Sequence, residues 1–206
     1  MSFINLDKDR WQNTIDYEDE TTNIRQGSRY IICGTPNSGK TSLLKKMLIN
    51  SESFDKIYIM HYEGSREFEC LNYNYIENFS ELSNIDLKNE ALTKKILIII
   101  EDVNKINNKD YLHLEPILSY YCSHLGITLI MLSQTPYMLD INLRRKIDVY
   151  LLFGGGCDVS FLNSLKIINK DDKILILDLL NKSKKHDFVR IDLTTKKYYF
   201  NEDKIK

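Results

Sequence analysis

Gly34-Thr35-Pro36-Asn37-Ser38-Gly39-Lys40-Thr41 sets two glycines, a lysine and a hydroxyl at the spacing G-x-x-x-x-G-K-[ST]. That spacing suits phosphate binding. Gly34 allows a sharp turn, and Gly39 lets the backbone approach a phosphate closely. Successive amide N–H groups then point inward, and a helix beginning at Lys40 adds its positive N-terminal end. Lys40 is placed to reach the β- and γ-phosphates, and the Thr41 hydroxyl to meet Mg²⁺. The full cradle is Gly34, Thr35, Pro36, Asn37, Ser38, Gly39, Lys40, Thr41 and Ser42. A glycine-containing turn alone says little. Here an apolar run precedes it (RYIIC at 29–33), and an amphipathic one follows with Leu43, Leu44, Met47 and Leu48 on one side.

A second set of candidates lies further along. The run ILIII at 96–100 leads straight into Glu101 and Asp102. A hydrophobic strand ending in acids, in a chain that already carries a phosphate loop, is a Walker B arrangement. One carboxylate helps hold Mg²⁺ through water, and the other orients or deprotonates an attacking water. Glu101 stands first, where aspartate is usual. Either Glu101 serves the metal and Asp102 the water, which is the preferred assignment, or Asp102 serves the metal and the base lies elsewhere. The run TLIML at 128–132 ends in Ser133-Gln134. If this strand lies between the loop strand and the acidic strand, the Gln134 amide faces the γ-phosphate, where it can accept from water and donate to phosphate. Leu143-Arg144-Arg145-Lys146 follows. An arginine supplied across a subunit boundary is worth roughly 10³–10⁵ in rate, while a solvated basic turn is the equally weighted alternative. The basic runs Lys94-Lys95 and Lys182 to Lys185 read as surface that could also touch DNA phosphates. Tyr73 and Tyr75 alternate as residues packing on one face of an extended segment do.

These residues need elements to position them. Strands are expected at 29–33, 55–62, 95–100, 127–132 and 147–153, with helices at 40–50, 111–125, 159–168 and 172–182. Pro116 implies either a kink or a helix that starts there. Asp140 to Lys146 reads as a short helix or turn, and 188–201 as a terminal hairpin whose turn lacks Gly and Asn. Residues 63–90 show no strong period. The alternation implies an α/β fold, a parallel twisted sheet with helices on both faces. Residues 1–27 read as a polar N-terminal arm with Trp11 its largest anchor, and 28–206 as one domain carrying the hairpin.

Composition narrows the function classes. The 206 residues are 43% hydrophobic and 28% charged, as in ordinary globular proteins. With 28 Lys+Arg against 29 Asp+Glu, the net charge is −1 and there is no global basic field, so any DNA contact needs a local patch. The longest aliphatic run is too short to cross a bilayer, and the polar N-terminus is no signal peptide, so a soluble protein that is neither secreted nor inserted in a membrane is expected. Cys33, Cys70, Cys122 and Cys157 show no C-x-x-C spacing and read as reduced, and the four histidines show no metal-ligand spacing.

The order of motifs resembles that of the genome-packaging ATPases of poxviruses and other large or medium double-stranded DNA viruses, including virophage-like elements, in the FtsK/HerA superfamily. The resemblance rests on GTPNSGKTS at 34–42, ILIIIED at 96–102, LIMLSQTP at 129–136 and NLRRKIDVYLLF at 142–153, and extends to the terminal FVRIDLTTKKYYF. It implies a P-loop NTPase fold of the ASCE/RecA-like type and a ring-forming homo-oligomeric motor. Such a motor couples hydrolysis of ATP with Mg²⁺ to movement of double-stranded DNA into a preformed capsid, with a capsid or portal-vertex protein as partner. The setting would be the virion or the host cytoplasm. Lys40 and Thr41 would match the phosphate and Mg²⁺ residues, Glu101 and Asp102 the Walker B acids, and Gln134 the sensor. Arg144 is the preferred match to the arginine after the sensor, with Arg145 second. A nucleoside or nucleotide kinase is the alternative, though no arginine-bearing lid is evident. A DNA-replication or helicase-loader ATPase and a nucleotide-gated scaffold are further ones.

Overall fold

The computed structural model describes residues 22–51, 54–61, 68–69, 71–101, 107–154, 158–165, 168–201 and 203–204. Five strands carry the site or lie beside it: β1 (Arg29–Cys33), β2 (Lys56–Met60), β4 (Ile96–Ile100), β5 (Thr128–Ser133) and β6 (Val149–Phe153). A short β3 (Asn74–Ile76) lies at one edge, and β7 (Phe188–Asp192), β8 (Lys197–Phe200) and β9 (Asp203–Lys204) extend the other. The nine strands form one sheet in the order β3-β2-β4-β5-β1-β6-β7-β8-β9. Pairing is parallel from β3 to β6 and antiparallel from β6 onward. Every residue of β1, β4, β5 and β6 is buried, as parallel strands covered on both faces must be.

Helix α1 (Lys40–Asn50) packs Leu43, Leu44, Met47 and Leu48 against Tyr30, Ile32, Ile130 and Leu132 on one face. The opposite face is covered by α2 (Phe79–Asn84), α3 (Leu87–Ala91), α4 (108–125), α5 (Ile141–Arg144), α6 (Val159–Ser164) and α7 (Lys170–Lys182). The expected α/β sandwich is therefore present. So is the hairpin, whose turn uses Lys196 at φ 56° and caps the Thr194 and Thr195 N–H groups with the Asp192 carboxylate. Asp192 replaces the missing turn glycine or asparagine by accepting those bonds.

Helix α4 departs from both expectations for Pro116. It begins as an α-helix over Asn108–Pro116, widens into a π turn over Ile117–Tyr121, and resumes over Cys122–Leu125. The Cys122 N–H reaches back to the Ile117 carbonyl, which releases the Leu118 carbonyl. Arg29 Nε donates to that carbonyl at 2.6 Å, while its Nη1 and backbone N–H each meet Asp148 Oδ2 at 2.9 Å. The widened turn thus feeds the acceptor that a buried guanidinium requires, and the cluster ties α4, β1 and the entry to β6 together.

Of the N-terminal arm, residues 22–27 are docked on the domain. Ile24 is buried, Arg25 pairs with Asp192 at 2.9 Å, and the Gly27 N–H donates to Thr128 Oγ1 at 3.0 Å. Trp11 lies outside the described residues. In the stretch 63–90, β3, α2 and α3 appear where no period was legible, with α2 and α3 begun by the Asn78 and Asp86 side chains. Tyr75 is exposed on edge strand β3, and Tyr73 hydrogen-bonds His61 at 3.0 Å.

Candidate nucleotide site

The parallel strands all end at one rim of the sheet, where open α/β sheets bind ligands. The loop 34–39 joins β1 to α1 there. Its Gly34 N–H donates to the Ser133 carbonyl at 3.1 Å, which locks the loop's start to β5. A Cβ on Gly34 would stand 2.6 Å from both the Phe153 Cβ and the Ser38 Oγ. Gly39 takes φ 108°, and Asn37 takes φ 60°, so the loop needs left-handed backbone at two places. Ser38 is buried, and its hydroxyl has no hydrogen-bond partner among the described residues.

Lys40 Nζ donates to the Gly34 and Thr35 carbonyls at 2.9 and 3.0 Å. Its ammonium therefore spans the mouth of the loop, on acceptors that phosphate oxygens can replace. Helix α1 carries no acidic residue of its own in its first turn, which leaves its positive N-terminal end facing the loop.

Glu101 leaves β4 with its N–H bonded to the Met60 carbonyl at 2.8 Å. Thr41 Oγ1 then donates to Glu101 Oε1 at 3.3 Å. A hydroxyl and a carboxylate oxygen converge beside the loop, and hard oxygen donors of this kind suit Mg²⁺. Asp102 lies outside the described residues. Gln134 is exposed at the end of β5, and β5 does lie between β4 and β1, so the strand ends present Glu101, Gln134 and Gly34 in that lateral order. The turn after Gln134 is fixed by Ser133 Oγ, which donates to the Thr135 carbonyl at 2.9 Å and accepts from the Thr135 N–H at 3.2 Å.

Arg144 is not brought to the loop. It ends α5, with Nη1 bonded to Ser164 Oγ at 3.1 Å, its guanidinium 5.1 Å from the Tyr137 ring centre, and Nε buried with no hydrogen-bond partner among the described residues. Arg145 beside it is exposed.

Two residues at this rim carried no signal of a nucleotide site in the sequence. The turn after α7 places Lys185 and His186 over the loop, and His186 Nδ1 donates to the Ser38 carbonyl at 2.9 Å. Lys185 had read as surface that could also touch DNA phosphates. An open cleft of about 420 Å³ runs between residues 39–42 and this turn, and one of about 530 Å³ lies between residues 35–38 and the ends of β6 and α7. Cys33, directly before the loop, has its thiol pushed up to about 12 by burial, with Lys40 opposing weakly. Among the described residues no group of three His, Cys, Asp or Glu side chains could hold a metal ion, and no helix is long and apolar enough to cross a membrane.

No protein-family model matches the chain, and no curated protein matches its sequence. Solved structures do match in fold. The DNA-packaging ATPase B204 of Sulfolobus turreted icosahedral virus superposes with TM-score 0.66 at 18% identity, over 87% of this chain and 98% of that one. The genome-packaging NTPase B204 of Sulfolobus turreted icosahedral virus 2, in complex with ATP-γS, gives TM-score 0.65 at 16% identity over 85% and 97%. The cytoplasmic domain of the type VII secretion ATPase EccC from Thermomonospora curvata gives 0.55 at 13% identity over 87% of this chain and 24% of that one. The fold is that of a P-loop NTPase. In its terms, the P-loop is 34–41, the Walker B strand is β4, and the strand inserted between them is β5, which is the ASCE/RecA-like order.

Proposed function

We propose that this chain is an ATP-hydrolysing motor that moves double-stranded viral DNA into a preformed capsid. The observation that carries the ATPase reading is the 3.3 Å contact between Thr41 Oγ1 and Glu101 Oε1 across β5. A hydroxyl and a carboxylate meeting beside the loop support reading them as the metal-holding pair of a phosphate cradle. The packaging reading is supported by the fold shared with B204 over nearly the whole of both chains. It agrees with the P-loop, Walker B and Ser133-Gln134 motifs in their order along this chain.

The P-loop amides and Lys40 bind the β- and γ-phosphates and offset the charge that builds on them. Thr41 and, through water, Glu101 would hold Mg²⁺, which supplies charge neutralisation at the β- and γ-oxygens. Asp102 takes the attacking water's proton, and Gln134 orients that water and registers loss of the γ-phosphate. Closing the site with partner charge requires a homo-oligomeric ring. Arg144 supplies that charge to the neighbouring subunit once released from Ser164 and Tyr137, and the exposed Arg145 is the second candidate. DNA passes through the ring's lumen, so a chain of net charge −1 needs only a local basic lining. A capsid or portal-vertex protein docks the ring, in the virion or at the assembly site in the host cytoplasm.

Displacement of a third strand from a triplex-tailed duplex tests translocation. Wild-type protein with ATP and Mg²⁺ should release the third strand, and Lys40→Ala should not. ATP hydrolysis without release would overturn the motor assignment.

A further inference from the structure

The site has a direction. Glu101 and Gln134 stand on the β4–β5 side of the P-loop, while β6 and β7 lie on its other side. A triphosphate whose γ end is drawn toward Glu101 leads back past Thr41 and Ser42 toward β6 and β7. The turn between α7 and β7 stands there.

That turn is built rigidly. Lys184 N–H donates to Asp187 Oδ2 at 2.8 Å, and Asp187 N–H returns to the Lys184 carbonyl at 3.1 Å. Asn201 Nδ2 holds the other Asp187 oxygen at 3.0 Å, and Asn201 Oδ1 accepts from the Phe188 N–H at 2.9 Å. The end of β6 meets the turn so closely that a Cβ on Gly154 would stand 3.1 Å from the Ser183 Cβ. His186 sits at φ 81°, a conformation that a residue with a side chain adopts at a cost. Its Nδ1–H bond to the Ser38 carbonyl fixes the ring at the outer edge of the loop. The result is a cleft with the phosphate-facing residues 39–42 on one wall and Lys185 and His186 on the other, within the size range of small-molecule sites.

We infer that Lys185 and His186 form the nucleoside side of the site, the imidazole ring lying against the base and the Lys185 ammonium beside the α-phosphate. The inference rests on the reading of the P-loop as an ATP site. A flat ring offers a stacking face that any purine can use, and the lysine adds a charge that the loop itself does not place at the α-phosphate.

Calorimetric titration of the full chain with ATP and with inorganic tripolyphosphate separates the possibilities. His186→Asn keeps an amide donor for the Ser38 carbonyl and tolerates positive φ, but removes the ring. It should weaken ATP by about tenfold and leave tripolyphosphate within about twofold. Lys185→Met, on an exposed side chain, should weaken ATP by about fivefold. An unchanged ATP affinity in both variants overturns the inference. Equal losses for both ligands in His186→Asn also overturn it, because they mean that the histidine only braces the loop. Wild-type protein that binds neither ligand overturns the ATP reading itself, and this inference with it.

Discussion

Glutamate at position 101 is one methylene longer than the aspartate usual there, and the structure shows what that length does. From the end of β4 its Oε1 reaches the Thr41 hydroxyl, a residue 60 positions earlier in the chain. That contact supports the proposed role of Glu101 as the metal-side acid. Glu101→Gln keeps the shape but loses the charge, so it should retain ATP binding and lower turnover by about 10²-fold or more, measured as phosphate release. Thr41 and Glu101 were both legible in the sequence, because motif spacing records chemistry directly. Lys185 and His186 were not. His186 meets the Ser38 carbonyl across 148 positions, and its neighbours Lys184 and Lys185 look like any solvated lysines. Burial gives a further test at this scale. It raises the Cys33 and Cys122 thiols to about 12, so almost no thiolate exists at neutral pH. In native protein treated with iodoacetamide at about pH 8, peptides containing these two residues should stay unmodified. Rapid alkylation of either would contradict the packing described.

Elements explain how the loop holds its shape. Gly34 is pinned between Phe153 on β6 and Ser38 in the loop, so Gly34→Ala must push the loop away from β6. ATP affinity should fall by at least about tenfold, read by titration, with thermal stability also reduced. The π turn of α4 is a second case. The sequence signals a helix by its period and a disturbance by Pro116. It does not signal that the disturbance lies after Pro116 and serves Arg29, 89 positions away. Asp148→Ala would strip that guanidinium of its carboxylate and leave it neutral partners such as the Leu118 carbonyl and the Ser123 hydroxyl. It should cost about 3 kcal/mol in denaturant unfolding, the usual effect of breaking a buried pair. A loss below about 1 kcal/mol would place the pair with ordinary surface contacts. The stretch 63–90 shows the limit of periodicity, since β3, α2 and α3 are each too short to establish a pattern.

At the scale of the whole molecule, strand order was conditional in the sequence and is settled by the sheet, with β5 between β1 and β4. Pairing order is a property of long-range contacts, which no local window contains. The same long-range contacts set the acid stability. Glu115 is held below its usual 4.5 by hydrogen bonds from Ser119 and Lys146. At Glu90 burial pushes the other way, but hydrogen bonds from Lys56 and Tyr58 outweigh it and also leave the carboxyl below 4.5. A folded-state value below the unfolded one gives stability that is complete above the unfolded value and lost as pH falls through the folded one. The urea midpoint should therefore drop between about pH 5 and pH 3, and Lys146→Met together with Lys56→Met should flatten that drop. In the proposed motor, function at this scale depends on assembly, because a neighbouring subunit would bring the further cation to the γ side. ATP turnover at several protein concentrations, with and without double-stranded DNA and with Lys40→Ala as control, tests that most directly. Turnover that rises with both DNA and protein concentration, and is absent in the variant, is the expected result. DNA-indifferent turnover with phosphate passed to a nucleoside acceptor would contradict the motor and assign a kinase instead.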